Sequence, residues 1–166
     1  MYIPFDDMSP QSRVWIYQSN RELSSEEQLT VGRLVQSFLD QWAAHNQALK
    51  SSFSFFYGHF LVISVDESFH QASGCSIDAS VHLLKQIEEQ LDISFFDRTK
   101  VAFLKDEAVF LEPISEIKSN IVEGKISDQT LTFNNLVQYK EELTTDWIVP
   151  AAESWLKRYF HKVGQH

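Results

Sequence analysis

The stretch Leu61–Leu84, LVISVDESFHQASGCSIDASVHLL, decides the fold because it joins an apolar strand to a long helix. Phe60–Val65 is apolar nearly throughout, which is typical of a strand in the middle of a sheet. Two acids, Asp66 and Glu67, and a polar loop follow, and the helix opens at Gly74. From there apolar residues recur at helical spacing, at Ile77, Val81, Leu84, Ile87 and Leu91. A strand end and a helix start therefore lie close together in the chain.

Similar patterns on both sides of this stretch predict the other elements. Val14–Tyr17 is β-branched and aromatic and predicts a first strand. Ser24, with Glu27 three residues later, is typical of a capping box and opens a helix that runs to about His45. Two pairs of strand-like runs predict hairpins: residues 51–57 with 60–65 around Gly58-His59, and residues 100–104 with 108–111.

The order of these elements predicts the fold class. Strand, helix, hairpin, helix, strand is the ferredoxin-like pattern, an α+β fold with one antiparallel sheet and both helices on one face. Residues 1–112 would form this core with an N-terminal arm, and residues 113–166 a small C-terminal α/β extension. The extension, with Gly124-Lys125-Ile126 and a later Trp, resembles the GYF-like modules that bind peptides. The alternative is that it packs on the core as one compact unit.

Charge and composition narrow the class of protein. The chain has 14 basic and 23 acidic side chains, a formal net charge of −9. This balance and the absence of a run of Lys or Arg argue against the basic face that binds nucleic acids and anionic membranes, so neither is an expected partner, and a local basic patch is left open. Its single cysteine, Cys75, cannot form an internal disulfide, and no apolar run reaches the ~20 residues that span a bilayer. The first ten residues carry two Asp and no basic region before an apolar stretch, so a signal peptide is not expected there. We therefore expect a cytoplasmic protein, with a homodimer left open.

The residues around the helix start form a candidate site for a small anion or a protein segment. The first amides of a helix have no partners inside it, and the helix dipole adds partial positive charge. Serine hydroxyls beside these amides would help to hold an anion. The alternative is that Ser76 or Asp78 caps the helix and nothing binds. The candidate residues are Asp66, Glu67, Ser68, Ser73, Gly74, Cys75, Ser76 and Asp78.

Cys75 is also a candidate nucleophile. A helix N-terminus favours the thiolate, and His70 or His82 could act as the base if the fold brings one within reach. Helix amides would then serve as oxyanion donors in a small acyl hydrolase or transferase. The alternative is that Cys75 is a buried small hydrophobe, and Asp78 nearby would oppose a thiolate.

The acids Asp66, Glu67 and Asp78 indicate a third function. Carboxylates at a strand end beside a helix start could hold a divalent ion and position a phosphate ester, as in a metal-dependent phosphoesterase. Their spacing matches no metal motif, and the six histidines show no metal-ligand spacing. No metal ion and no cofactor are therefore predicted.

Residues of the second half are given structural roles. Asp97-Arg98 predicts a local ion pair or a cap after Phe95-Phe96, and Asn134-Asn135 predicts a turn. Trp147 and Trp155 are expected in the core, but if both were exposed they would mark an interaction surface.

Several short segments together resemble one protein family. They are Tyr2–Phe5 (YIPF), Ser12–Gln18 (SRVWIYQ), Val65–Ser68 (VDES), Ser73–Asp78 (SGCSID), Phe95–Arg98 (FFDR), Phe133–Val137 (FNNLV) and Ser154-Trp155. Over nearly its full length the chain is similar to a family of uncharacterised bacterial proteins that are often labelled ABC-transporter ATPases. That label implies a P-loop, G-x-x-x-x-G-K-[ST], whose amides cradle phosphates. The only Gly-Lys pair, Gly124-Lys125, is followed by Ile126, so no P-loop ATPase is predicted.

These patterns favour a non-catalytic binding protein whose site lies in Asp66–Asp78, at the junction of strand, loop and helix. A cysteine-dependent hydrolase or transferase is the first alternative, and a metal-dependent phosphoesterase is the second.

Overall fold

The computed structural model describes residues 1–161 and places most of the strands in two antiparallel sheets. Sheet 1 has the order β1 (Arg13–Gln18), β5 (Phe60–Val65), β4 (Ser51–Phe56). Sheet 2 has the order β7 (Ala108–Pro113), β6 (Lys100–Lys105), β8 (Leu131–Phe133), β9 (Ile148–Pro150). The short strands β2 (Ala43–Ala44) and β3 (Gln47–Ala48) form a separate hairpin.

Two long helices and three short ones complete the described chain. The long ones are α1 (Ser25–Gln41) and α2 (Gly74–Leu91), and the short ones are α3 (Ile117–Val122), α4 (Glu142–Thr145) and α5 (Lys157–His161). Turns of 3-10 helix lie at Phe5–Asp7, Ile114–Glu116 and Ala151–Glu153. None of the helices within residues 1–161 is both long enough and apolar enough to cross a bilayer.

The start of α1 is confirmed, whereas its end lies earlier than the sequence predicts. The Ser24 hydroxyl accepts from the Glu27 amide at 3.1 Å, and the Glu27 carboxylate accepts from the Ser24 amide at 3.0 Å, so the capping box is complete. The helix ends at Gln41 because His45 and Asn46 both take positive φ and turn the chain into the β2–β3 hairpin. The sequence pattern does not predict this hairpin.

Three apolar clusters stack the elements in layers. The first lies between the long helices and sheet 1 and contains Leu39 and Leu84. The second fills the space between the two sheets and contains Phe60 and Trp147. The third lies between sheet 2 and the short helices α3 and α5 and contains Phe103. β5 is buried on both faces, as its apolar run predicts, because it is the middle strand of sheet 1.

The α+β class is confirmed, but the ferredoxin-like topology is not. The β6–β7 hairpin pairs with β8 and packs face to face on sheet 1 instead of extending it. An alternating pattern of apolar residues predicts that a strand has a buried face, but it does not say which edges pair. The pairing of β6 with β8 also joins residues on both sides of the predicted boundary after residue 112.

Candidate functional site

Asp66, at the end of β5, is held by the loop that follows it. One carboxylate oxygen accepts from the Ser68 amide at 3.0 Å and from the Ser68 hydroxyl at 2.6 Å, and the other lies 3.7 Å from Lys50 Nζ. The Ser68 hydroxyl, more than any other contact, holds the pKa of Asp66 below its usual value. Asp66 is 6% exposed, and both of its carboxylate oxygens have partners within the protein.

Glu67 likewise binds its own loop. Its Oε2 accepts from the Ala72 amide at 3.0 Å, and its Oε1 lies 3.8 Å from Arg13 Nη1. Together the two acids close the loop between β5 and α2, which explains their position without a ligand. Asp78 is exposed on α2. Within residues 1–161, no group of three His, Cys, Asp or Glu side chains is placed to hold a metal ion, so the phosphoesterase hypothesis has no ligand cluster there.

The cap of α2 is Ser73, rather than Ser76 or Asp78. The Ser76 amide donates to the Ser73 hydroxyl at 3.1 Å, and the Ser73 amide donates to the Ser76 hydroxyl at 2.7 Å. The Ile77 amide donates to the Ser73 carbonyl at 3.0 Å. A side chain built at Gly74 would meet nothing within 4 Å, so packing does not require a glycine there. The helix's own cap thus gives partners to the amides of Ser73 and Ser76, whereas the hydrogen bonds within residues 1–161 include none from the amides of Gly74 and Cys75.

Cys75 is exposed, so the alternative of a buried small hydrophobe is not met. His82 lies seven residues further along the same helix, which is about 10 Å along its axis, too far for direct proton transfer. His70 is exposed in the loop before the helix. The Cys75 thiol is therefore accessible, and His82, one of its two proposed bases, lies out of its reach.

The two tryptophans lie in different environments. Trp147 is 2% exposed and packs against Phe56, Phe60 and Phe133, so it belongs to the core. Trp155 is 48% exposed. The two rings therefore do not form a shared exposed surface, but Trp155 lies at the rim of a cavity.

This cavity, called the cleft below, opens where β6 and β8 diverge. The two strands pair only at Phe103–Thr132 and Leu104–Leu131, so the first half of β6 has no strand beside it on that side. The space that results has a volume of about 470 Å³. Polar and aromatic side chains that line it include Gln18, Arg98, Lys100, Asn135, Glu153 and Trp155.

Side-chain amides take the place of the missing strand. Trp147 Nε1 donates to Asn135 Oδ1 at 2.9 Å, Asn135 Nδ2 donates to Gln18 Oε1 at 3.2 Å, and Gln18 Nε2 donates to the Lys100 carbonyl at 3.2 Å. Nearby, the Thr132 hydroxyl donates to the Ala102 carbonyl at 2.7 Å. Two carbonyls of β6, those of Lys100 and Ala102, thereby gain partners, and the end of β1, the start of β6 and the loop after β8 are joined.

The two ends of this chain of hydrogen bonds set its direction. An indole N–H can only donate, and a backbone carbonyl can only accept. Asn135 must therefore present its oxygen to Trp147, and Gln18 must present its NH₂ group to Lys100. Each NH₂ group has two N–H bonds and uses one in the chain, so Gln18 and Asn135 each keep one donor.

Two cations and one acid also line the cleft. The ion pairs within residues 1–161 do not include Arg98 or Lys100. Of the two predicted roles of Asp97-Arg98, the ion pair is absent from that part of the chain. Asp97 instead caps the local turn, because its carboxylate accepts from the Thr99 amide at 2.9 Å and from the Thr99 hydroxyl at 2.5 Å. The same Thr99 hydroxyl lowers the pKa of Asp97. Glu153 is the one carboxylate among the lining residues.

No motif or spacing in the sequence assigns a binding site to Gln18, Arg98, Lys100 or Asn135. Their only sequence signal is that three of them, with Trp155, fall in the segments that carry the family resemblance. No protein-family model matches the chain, and neither the curated proteins nor the solved structures contain a significant match to it. The family resemblance therefore stays a prediction.

Proposed function

We propose that this protein binds a small anionic ligand in the cleft and does not transform it. The observation that carries this proposal is the direction of the amide chain, which leaves N–H donors of Gln18 and Asn135 in a cleft that Arg98 and Lys100 also line. A site that offers donors and cations complements a ligand that offers acceptors and negative charge. The proposed function is still non-catalytic binding, as the sequence predicts, but the proposed site is the cleft and not Asp66–Asp78.

The charge of the cleft differs from that of the rest of the protein. The chain as a whole carries −9, whereas the cleft has two cations against one acid. The net negative charge of the whole protein repels an approaching anion. The anion must therefore be held by short-range contacts with the cations of the cleft. A guanidinium with no carboxylate partner is well suited to this role, since its planar fork matches an oxyanion.

The lining of the cleft lacks the two side-chain types that most often act as general base or thiol nucleophile. It contains neither cysteine nor histidine. Its serine, Ser154, donates its hydroxyl proton to the Ala151 carbonyl at 2.7 Å and accepts from the Leu156 amide at 3.1 Å, which is the bonding of a structural turn. A serine nucleophile must give its proton to a base, and the Ser154 hydroxyl gives its proton to the Ala151 carbonyl rather than to the neighbouring Glu153 carboxylate. Binding is therefore the function that this set of side chains supports.

A cytoplasmic location is part of this proposal. Cys75 is the only cysteine of the chain, and its side chain is exposed. An accessible free thiol is stable in a compartment that keeps thiols reduced.

Nuclear magnetic resonance with simple anions tests the proposed site. Acetate and 2-naphthoate are titrated into the ¹⁵N-labelled protein while the side-chain NH₂ signals of Gln18 and Asn135 are followed. We expect saturating shifts of these signals. The change Arg98→Gln keeps a polar side chain and removes the charge, so the affinity for 2-naphthoate should fall by about tenfold.

The matched control is Arg33→Gln. Arg33 is exposed on α1, outside the cleft, and the substitution changes the net charge by the same amount. Equal losses in the two variants would show a general charge effect and contradict the proposal. Shifts that centre on the amides of Gly74 and Cys75 would return the site to the start of α2.

A further inference from the structure

The cleft has an apolar rim above its donors. Three large apolar side chains that line it are exposed: Trp155 by 48%, Leu136 by 86% and Ile114 by 37%. They come from three separate parts of the chain, the turn before α5, the loop after β8 and the turn before α3. Exposed apolar side chains that gather around a concave polar site are typical of ligand-binding surfaces.

The Trp155 ring is held in place although it is exposed. The guanidinium carbon of Arg158 lies 5.3 Å from the centre of the ring, and Tyr159 packs against it edge to face at 6.2 Å. These contacts come from residues just after Trp155, so the ring is oriented before any ligand arrives. A fixed aromatic surface beside the cleft loses little conformational entropy when a second ring packs on it.

The size and charge of the cleft narrow the ligand class further. A volume of about 470 Å³ lies in the range of sites for organic molecules, and acetate or inorganic phosphate would fill a small part of it. Arg98 and Lys100 against Glu153 leave one net positive charge among the lining side chains. That matches a monoanionic carboxylate better than a phosphate ester, which carries about −1.5 to −2 at neutral pH.

We propose that the ligand is an aromatic carboxylate, whose carboxylate meets the donors of Gln18, Asn135 and Arg98 while its ring packs on Trp155. This proposal rests on the proposed function, because it needs the cleft to be an anion site. It adds that the apolar body of the ligand contributes to affinity as much as its charge does.

Calorimetric titrations of the full chain with four probes test the ligand class. The probes are 2-naphthoate, acetate, the neutral 2-naphthamide and 2-naphthyl phosphate. We expect 2-naphthoate to bind about tenfold more tightly than acetate, because the ring covers the rim. It should also bind about tenfold more tightly than 2-naphthamide, because the amide has no charge for Arg98.

A change at Trp155 separates the ring from the charge. Trp155→Ala should weaken 2-naphthoate by about tenfold and leave acetate unchanged. The matched control is Phe69→Ala, which removes another exposed ring, in the loop after β5. It should leave both affinities unchanged. Thermal unfolding of each variant checks that the fold is retained.

The possible results separate the two proposals. If acetate binds as tightly as 2-naphthoate, or if Trp155→Ala leaves 2-naphthoate unaffected, the aromatic carboxylate is wrong and the anion site stands. If 2-naphthyl phosphate binds more tightly than 2-naphthoate, the carboxylate is wrong and the aromatic anion stands. If 2-naphthamide binds as tightly as 2-naphthoate, or if neither anion binds, the proposed function fails and this inference fails with it.

Discussion

Two polar regions of this protein, the Asp66–Asp78 junction and the cleft, differ in how far apart in sequence their hydrogen-bonded partners lie. At the junction, the hydrogen bonds of Asp66, Ser73 and Glu67 reach residues two, three and five positions away, although the two acids also form ion pairs with the more distant Lys50 and Arg13. In the cleft, the amide chain connects residues that are 12, 117 and 82 positions apart. The junction is visible in the sequence, and the cleft is not.

This difference distinguishes polar groups that stabilise the local structure from polar groups that are available to a ligand. Polar groups that find partners within a few residues close turns and cap helices, and they have little capacity left for a ligand. In the cleft, the Gln18 amide bonds to the Lys100 carbonyl, at the edge of β6 that β8 does not cover. The amides of Gln18 and Asn135 each keep one N–H donor for a ligand. The chemistry-bearing residues of the junction are thus mostly structural, whereas ordinary Gln and Asn side chains carry the candidate site.

The largest expected effect is on the core side of the cleft. Trp147→Ala removes a ring that is packed between the sheets and the donor that orients Asn135, so the free energy of unfolding should fall by about 3–5 kcal/mol. Urea unfolding measures this loss. Trp155→Ala is the control, because that ring is half exposed, and it should cost much less. Equal losses would mean that the two tryptophans do not differ in burial.

Asp66→Asn tests the junction and its pH dependence. The folded protein holds the pKa of Asp66 below its usual value, so the charged form stabilises the fold above the unfolded-state pKa of about 4. This contribution is lost as the pH falls through the folded-state pKa. We expect the variant to be less stable by about 1–2 kcal/mol at neutral pH, because charge-assisted bonds to Ser68 are weakened. In urea unfolding the difference should shrink below about pH 4, and a constant difference would assign it to another cause.

A smaller effect is expected at the cap of α2. Ser73→Ala removes the acceptor for the Ser76 amide and should destabilise the protein by about 1 kcal/mol. Asp78→Ala is the comparison variant, since Asp78 does not cap the helix and should change stability little. Both variants should bind 2-naphthoate like the unchanged protein. Weaker binding by Ser73→Ala, with the fold intact, would restore the junction as a binding site.

The smallest effect is expected from modification of Cys75. The side chain is exposed, so iodoacetamide should alkylate it in the native protein without prior unfolding. The modified protein should keep its melting temperature and its affinity for 2-naphthoate, because Cys75 is not among the residues that line the cleft. Alkylation that requires denaturant would contradict the exposed position, and alkylation that abolishes binding would contradict the separation of the two regions.

Local patterns predicted the elements more accurately than the way they assemble. The capping box of Ser24 and Glu27, the buried run of β5 and both main hairpins follow from interactions within a few residues, and the structure contains them. The β2–β3 hairpin is not predicted, because the helical spacing that reaches Trp42 suggests a helix to about His45, whereas positive φ angles at His45 and Asn46 turn the chain. The sequence locates the start of α2, but the caps it offers are Ser76 or Asp78, whereas the structure has Ser73 as the cap and Ser76 as the other half of the capping box.

The amino-acid sequence by itself determined the α+β class, the long helices and the strand–loop–helix junction, because these depend on periodicity and capping over short distances. Only the tertiary structure decided that β6 and β7 pack face to face on sheet 1 and pair with β8. Strand pairing depends on which edges meet after the chain has collapsed, and an alternating pattern does not encode that choice. The cleft exists because β6 and β8 pair over two residues and then diverge, so its side chains became neighbours only through the fold.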